Sequence, residues 1–344
     1  MEGGTVVQER RKWIDVSRGL SIILVVLGHS GNELIDDYLG WFRMPLFFLV
    51  SGLLFKSVMP DKYISWALRR IRMFMIPYFA YGIVIAMLVA AKLRDPLSVP
   101  RDIWNLIYGG TVLGGWYGVF WFITCLLLVH LLMGFLTRYP VKVQAAAVLM
   151  SYIAAHFVSM TPLAEVDIPW NADVALMAIA FFFLGYTFKS QLAAGLERGI
   201  WFIPAVLISA AAVVLDKEQI LIFRMDMKMK VYTQPVLDLI IPLACVLIVL
   251  QLCYWISRWP VSSALAFLGT VTITIMYLHI PINIVLKYGL GLEYGSFVFT
   301  LAGVLLPLGA AWLMSKSSLL TMLFLGQQGF GRKDKIQGKL KAAG

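Results

Sequence analysis

Long apolar runs separated by short polar stretches occupy almost the whole chain. Most of them approach the roughly 20 residues that an α-helix needs to cross the hydrocarbon core of a membrane. They lie at about 13–30, 42–58, 71–92, 116–136, 141–158, 172–188, 200–215, 235–256, 264–286 and 296–315. The pattern predicts an all-α polytopic membrane protein with about ten transmembrane helices. The second run is short and contains Pro45 and Gly52, so we expect a kinked or incomplete span there.

Composition and charge agree with a membrane protein. The 344 residues are 60% hydrophobic and 14% charged, whereas a soluble domain has about 25% charged residues. The net charge of +10 does not indicate nucleic-acid binding, because the basic residues lie largely in short stretches between apolar runs. Roughly twice as many of them fall on the side of the N-terminus as on the other side, which predicts that both termini are cytoplasmic. We therefore expect a multi-pass protein of the cell (inner or plasma) membrane, with lipids as partners and no nucleic acid.

The sequence predicts one membrane-embedded domain, residues 1–325, followed by a basic tail at 326–344. The tail is rich in glycine and lysine and is expected to be a disordered cytoplasmic segment. Cys125, Cys245 and Cys253 all lie within apolar runs, with no paired spacing. We therefore expect neither a disulfide nor a metal site.

Two polar residues flank the apolar stretch of the first predicted helix. Arg18 and His29 are eleven positions apart, which is about three helical turns plus about 20°. Both should therefore lie on one face, roughly 16 Å apart along the axis. Ionisable groups within membrane segments are costly and often mark a functional path. The alternatives are an arginine that reaches the headgroups or pairs with Asp15, and a histidine at the membrane interface.

Several stretches together resemble the acyltransferase-3 family of integral membrane acyltransferases. The resemblance covers about residues 12–325 and rests on the Arg18-x10-His29 spacing, Phe42–Gly52, Arg69-Arg70-Ile71-Arg72 before Pro77-Tyr78, Phe120-Trp121-Phe122 and Tyr277-Leu278-His279. A further stretch, Ile168–Asp173 before Phe181–Tyr186, looks like the branch named for fucose 4-O-acetylases. The resemblance implies a bacterial membrane O-acyltransferase that takes part in polysaccharide modification.

The expected reaction is transfer of an acetyl group from cytoplasmic acetyl-coenzyme A to a hydroxyl of a surface glycan or lipid-linked sugar. Acyl-coenzyme A is then a substrate, and no permanently bound cofactor is expected. Two alternatives keep the fold and change the substrate: succinyl in place of acetyl, or an acceptor that is not a sugar. An alternative from another class is a transporter or flippase for a lipid-linked glycan.

The resemblance suggests roles on the donor side of the reaction. His29 is the expected general base, although an acyl-histidine intermediate is an alternative. Arg18 is expected to hold the donor, and Arg69, Arg70 and Arg72 its phosphates, unless the three arginines serve only membrane topology. Ser51, Trp121 and His279 are candidate donors of hydrogen bonds to the oxyanion. Tyr277 is a candidate for the acyl site or a core aromatic.

The acceptor side is expected at the opposite membrane face. Arg43, Trp170, Asn171 and Asp173 suit a sugar, because aromatic faces stack on pyranose rings and amides and carboxylates bind hydroxyls. Trp170 could instead belong to the interfacial aromatic belt. Asp238 is a weaker candidate, and His130 and His156 are expected to pack between helices. The loops 93–115 and 216–234 could cover the site or be solvated connections.

Overall fold

The computed structural model describes residues 3–232 and 234–326, with side chains from residue 12 onward. This part of the chain is almost entirely helical. The helices are α1 (Gly3–Gly28), α2 (Glu33–Gly40), α3 (Arg43–Leu54), α4 (Tyr63–Leu93), α5 (Ser98–Tyr108), α6 (Phe120–Leu136), α7 (Val141–Ser159), α8 (Ala172–Thr187), α9 (Lys189–Arg198), α10 (Phe202–Lys217), α11 (Leu237–Ile256), α12 (Ser262–Thr270), α13 (Thr272–Ile284), α14 (Ser296–Met314) and α15 (Ser318–Phe324). Two short strands, β1 (Met225–Asp226) and β2 (Val231–Tyr232), pair antiparallel. The predicted all-α class is confirmed.

All ten predicted apolar runs are helical, but not all are long enough to cross a membrane. Within the described residues, six helices are long and apolar enough, or up to eight if two bent pairs each form one span. The bent pairs are α9 with α10, at 95°, and α12 with α13, at 82°. Helix α1 carries charges in its first half, and α3 has only 12 residues, about 18 Å. The expected short second span is therefore confirmed, whereas the count of ten spans stays a prediction.

Helices α1 and α3 are held by close backbone packing. A Cβ at Gly52 of α3 would collide with the carbonyl oxygen of Phe182, and one at Gly185 of α8 with that of Leu49. Helix α1 meets α12 in the same way, because a Cβ at Gly19 would strike the carbonyl of Leu265. Small residues let helix backbones approach closely, which is a common way to associate helices in membranes. These two contacts fix the helices that carry the predicted motifs.

The segment 218–232, called the hairpin loop below, folds onto the helices. Phe223 and Tyr232 are buried, and the Phe223 ring lies 5.0 Å from that of Trp41. The hydroxyl of Ser159 in α7 donates to the carbonyl of Lys230 at 2.6 Å and accepts from the amide of Tyr232. Of the two interpretations of this loop, the structure favours a cover over a solvated connection.

The remaining expectations concern the cysteines and the tail. Cys125 and Cys253 are buried, Cys245 is partly buried, and all three are free thiols. Short 3₁₀ turns at Pro60–Lys62, Gly110–Val112, Gly115–Tyr117, Pro162–Glu165 and Pro169–Asn171 complete the connections, and a π-helical turn, Val285–Gly289, extends α13. The predicted disordered tail lies beyond residue 326, outside the described residues. The cytoplasmic placement of both termini stays a prediction.

Candidate active site

His29 follows directly on the last residue of α1. Its Nδ1 lies 2.8 Å from the carbonyl oxygen of Val25, one turn back. A carbonyl oxygen only accepts hydrogen bonds, so Nδ1 must carry the ring proton. Neutral imidazole then has its lone pair on Nε2. The backbone therefore selects the tautomer in which His29 presents a basic nitrogen.

His279, in α13, lies against His29. The Nε2 of His279 is 3.4 Å from Nδ1 of His29, and the ring centroids are 5.2 Å apart. Its own Nδ1 lies 2.8 Å from the carbonyl of Ile275, so that nitrogen carries the proton and Nε2 is an acceptor. His279 thus shares the Nδ1 proton of His29. In this tautomer it has no N–H left for an oxyanion, so the geometry favours an orienting role over the predicted oxyanion role.

Arg18 also contacts α13, at its first residue. Its Nη2 donates to the hydroxyl of Thr272 at 3.4 Å, while its Nη1 lies 3.9 Å from Asp15 Oδ1. A Cβ at Gly269, at the break between α12 and α13, would collide with the Asp15 carbonyl and lie 3.3 Å from Cβ of Arg18. Arg18 and His29 therefore both face α13, as the spacing predicts. The alternative Asp15 pair exists but is long and partly exposed.

Arg43, the first residue of α3, lies next to His29. A Cβ at Gly28 would collide with the guanidinium of Arg43, so this group rests on the backbone one residue before His29. Its Nη1 pairs with Oδ1 of Asp36 in α2, whose side chain is half exposed. The predicted acceptor residue Arg43 is thus brought to the site, but a neighbouring carboxylate already compensates much of its charge.

Lys228, at the tip of the hairpin loop, was not among the predicted site residues. Its Nζ donates to the carbonyls of Leu113 at 2.9 Å and Gly118 at 3.4 Å. The positive charges of Lys228 and Arg43 both act on the His29 ring. Burial lowers the pKa of Lys228 from its ordinary value, an effect that Asp226 partly offsets. No motif marks this lysine, and the length of its loop was the one signal in the sequence.

The other predicted acyl-site residues are placed differently. Tyr277 is buried, its ring stacks on Tyr81 at 4.6 Å, and it meets the edge of Phe120 at 4.7 Å. Because residues two apart on a helix point to nearly opposite faces, Tyr277 points away from the side of α13 that carries His279. These contacts favour the second of its two interpretations, a core aromatic. Trp121, in the first turn of α6, is buried, and Ser51, in α3, is partly buried.

The predicted sugar-binding stretch is tied into the protein. The indole nitrogen of Trp170 donates to the carbonyl of Ile107 at 2.9 Å, and Asn171 is buried in a left-handed conformation. Oδ2 of Asp173 lies 3.1 Å from Nζ of Lys230, with both side chains almost fully buried. Trp170 and Asp173 therefore already have polar partners, whereas Oδ1 of Asn171 has no hydrogen bond within the described residues.

The remaining polar candidates form packing contacts. His156 Nδ1 lies 3.8 Å from Oδ2 of the buried Asp238, and the His130 ring packs between Phe55, Phe74 and Phe182. Both histidines are buried. This agrees with the packing role expected for them, and Asp238 lies beside His156.

The basic run near the start of α4 does not converge on one point. Arg69 and Arg72 are exposed and lie on one face, because residues three apart differ by about 60°. Arg70 points elsewhere: its guanidinium lies 5.6 Å from the centre of the Trp66 ring, and its Nη1 is 3.9 Å from the Met73 sulfur. Only Arg69 and Arg72 thus present a shared open face.

Comparison with known proteins identifies the family of the chain. Residues 11–316 match the family model described as an acyltransferase domain, which covers nearly the whole chain. No curated protein and no solved structure matches the chain.

Proposed function

Because the chain belongs to the acyltransferase-3 family and is a membrane acyltransferase, we propose that it acetylates a glycan. The proposed donor is cytoplasmic acetyl-coenzyme A, and the acceptor is a hydroxyl of a surface glycan or lipid-linked sugar at a bacterial cell membrane. The stretch from Ile168 to Asp173 supports a sugar as acceptor by its resemblance to fucose 4-O-acetylases. The observation that carries the proposal is the tautomer of His29, whose Nε2 is left basic by the bond from Nδ1 to Val25.

The proposed chemistry is direct transfer. Nε2 of His29 takes the proton of the acceptor hydroxyl while the hydroxyl oxygen attacks the thioester carbonyl carbon. The carbonyl electron pair moves to its oxygen, which gives a tetrahedral oxyanion. When the carbon–sulfur bond breaks, that pair returns, and the leaving thiolate takes the proton from His29. The products are the acetyl ester and free coenzyme A.

His279 supports this step through the protonated state of His29. When His29 holds the second proton, its Nδ1–H becomes a stronger donor, and Nε2 of His279 lies 3.4 Å away as an acceptor. The bond fixes the ring and stabilises the imidazolium. His279 is therefore a positioning residue in the proposal.

The donor would bind at the other end of α1. Arg69 and Arg72 share an exposed face suited to the phosphates of coenzyme A, because guanidinium groups bind phosphate bidentately. Arg18, about 16 Å from His29 along α1, would hold the pantetheine arm on its way to the base. Coenzyme A is long enough to carry its thioester away from its phosphates, which the proposal requires.

Transfer by the purified protein tests the proposal. Detergent-purified protein is mixed with membranes of a host strain that lacks the gene, and radiolabelled acetyl-coenzyme A is added. We expect label in the glycan or lipid-linked sugar fraction, and little when succinyl-coenzyme A replaces the acetyl donor. Equal label with and without the protein would contradict the proposal.

A further inference from the structure

The tip of the hairpin loop points into the protein. Met227 and Lys230 are buried, and Lys228 between them is partly buried. Two carbonyls, of Leu113 and Gly118, accept hydrogen bonds from the Lys228 ammonium. An ammonium carries three donors, so one N–H remains for a further partner. The two bonds hold the charged group in a fixed place.

Lys228 differs from its neighbour Lys230 in how its charge is compensated. The ammonium of Lys230 pairs with Asp173 at 3.1 Å, as a buried structural charge normally does. Within the described residues no carboxylate oxygen lies within 4.0 Å of Lys228. Oδ1 of the nearby Asp226 accepts from the amide of Met229 instead. Lys228 is therefore a partly buried charge whose hydrogen bonds, within the described residues, all go to neutral carbonyls.

A series of contacts links Lys228 to the histidine pair. Gly118, whose carbonyl it binds, packs against α13, since a Cβ there would lie 3.3 Å from Cδ1 of Ile280. Ile280 is the residue after His279, whose Nε2 lies 3.4 Å from Nδ1 of His29. The charge of Lys228 also acts on the His29 ring. The ammonium of Lys228 is thus on the side of the histidine pair where Gly118 meets α13.

We propose that Lys228 donates its remaining N–H to the oxyanion of the tetrahedral intermediate, which makes it a further catalytic residue. The inference rests on the proposed transfer reaction. As the acceptor oxygen bonds to the thioester carbon, the carbonyl pair becomes the oxyanion that the ammonium stabilises. When the carbon–sulfur bond breaks, the pair returns to the carbonyl, and Lys228 keeps all three protons throughout.

The geometry favours Lys228 over the oxyanion donors expected from the sequence. His279 has its N–H on the Ile275 carbonyl, and the hydroxyl of Ser51 and the indole of Trp121 are neutral donors. A fixed charge aimed at the developing anion in a water-poor site stabilises it more strongly than neutral donors do. Ser51 and Trp121 can act beside it.

The test compares Lys228→Met with Lys217→Met, a control at an exposed lysine at the end of α10. Purified variants that elute as folded protein receive radiolabelled acetyl-coenzyme A and membranes of a host strain that lacks the gene. Both are supplied at amounts that saturate the wild-type protein. Loss of one oxyanion donor typically costs about 10²–10³-fold in kcat. We expect a loss of this size for Lys228→Met, an unchanged KM for acetyl-coenzyme A, and near wild-type transfer by Lys217→Met.

Three other results would contradict the inference. If more membranes restore the rate of Lys228→Met, the lysine anchors the acceptor and the inference is wrong. If Lys228→Met transfers at more than half the wild-type rate, the inference is wrong while the proposed function stands. If the wild-type protein transfers nothing, the proposed function fails, and the inference fails with it.

Chemical rescue guards against a folding defect. In Lys228→Cys, bromoethylamine converts the new thiol into a side chain that ends in an amine. Cys125 and Cys253 are buried, whereas Cys245 is partly buried like position 228, so both cysteine variants also carry Cys245→Ser. We expect treatment to raise the rate of Lys228→Cys at least about tenfold, and to leave Lys217→Cys unchanged. Alkylation without rescue would overturn the inference.

Discussion

At the scale of single residues, the site depends on two backbone carbonyls. Those of Val25 and Ile275 each accept from a histidine Nδ1, and together they decide which ring nitrogens are basic. The sequence predicts the shared helix face of His29 and Arg18 from their spacing, and the family resemblance implies that His29 is a base. The sequence cannot predict the tautomer, because that depends on the local path of each helix and on the approach of α13 to α1.

The His279 pair gives a prediction at this scale. His279→Leu removes the second acceptor of the His29 Nδ1–H and leaves the Val25 carbonyl, so the imidazolium formed in the reaction loses one of two partners. We expect kcat to fall at least about tenfold, with the KM for acetyl-coenzyme A unchanged. His279→Gln, whose amide oxygen can accept the same proton, should recover part of the loss. Equal loss in both variants would indicate that His279 serves only packing.

At the scale of elements, the apolar pattern predicts helices well and their breaks poorly. The segment 264–286 reads as one apolar run, but it bends by 82° between α12 and α13. The bend places Thr272 beside Arg18, and Gly269 lets α1 approach there. Short helices outside the apolar runs, such as α5 in the loop 93–115, are also missed. These features follow from contacts between distant segments, which a local pattern does not contain.

The start of α4 gives a prediction at the element scale. Arg69 and Arg72 share one exposed face, whereas Arg70 packs on Trp66. If the exposed face binds the coenzyme A phosphates, Arg69→Gln with Arg72→Gln should raise the donor KM by about tenfold or more at unchanged kcat. Arg70→Gln is the matched control and should change donor KM little. An equal donor KM in the wild type, the double variant and Arg70→Gln would indicate that the arginines serve only membrane topology.

At the scale of the whole molecule, polar groups gather at two levels of the helix pair α1 and α13. Arg18 with Thr272 marks one level, and His29 with His279 marks the other, about 16 Å along the axis. The order of these contacts shows that the two helices run in the same direction. With cytoplasmic termini, as the basic residues predict, a cytoplasmic donor would pass the arginine level before it reaches the base.

The hairpin loop shows where prediction from sequence ends. The sequence leaves open whether 216–234 covers a site, because loop length alone has both explanations. In the structure the loop packs on the helices through contacts of Lys230 with Ser159 and of Phe223 with Trp41, which favours a cover. The role proposed for Lys228 rests on these tertiary contacts, which the sequence does not contain.

The proposed transfer depends on His29 as its general base. A general base typically contributes about 10²–10⁴-fold in rate. His29→Gln keeps a hydrogen-bonding side chain but cannot take the hydroxyl proton near neutral pH, so the loss should lie in the transition state.

The most direct measurement is kcat of acetyl transfer by folded His29→Gln, together with its affinity for acetyl-coenzyme A. His130→Ala and His156→Ala, at buried packing histidines, serve as controls. We expect a loss of about 10²-fold or more in kcat, donor binding within a few-fold of wild type, and most activity kept by both controls. Near wild-type transfer by His29→Gln, or loss of donor binding as complete as the loss of activity, would contradict this role of His29.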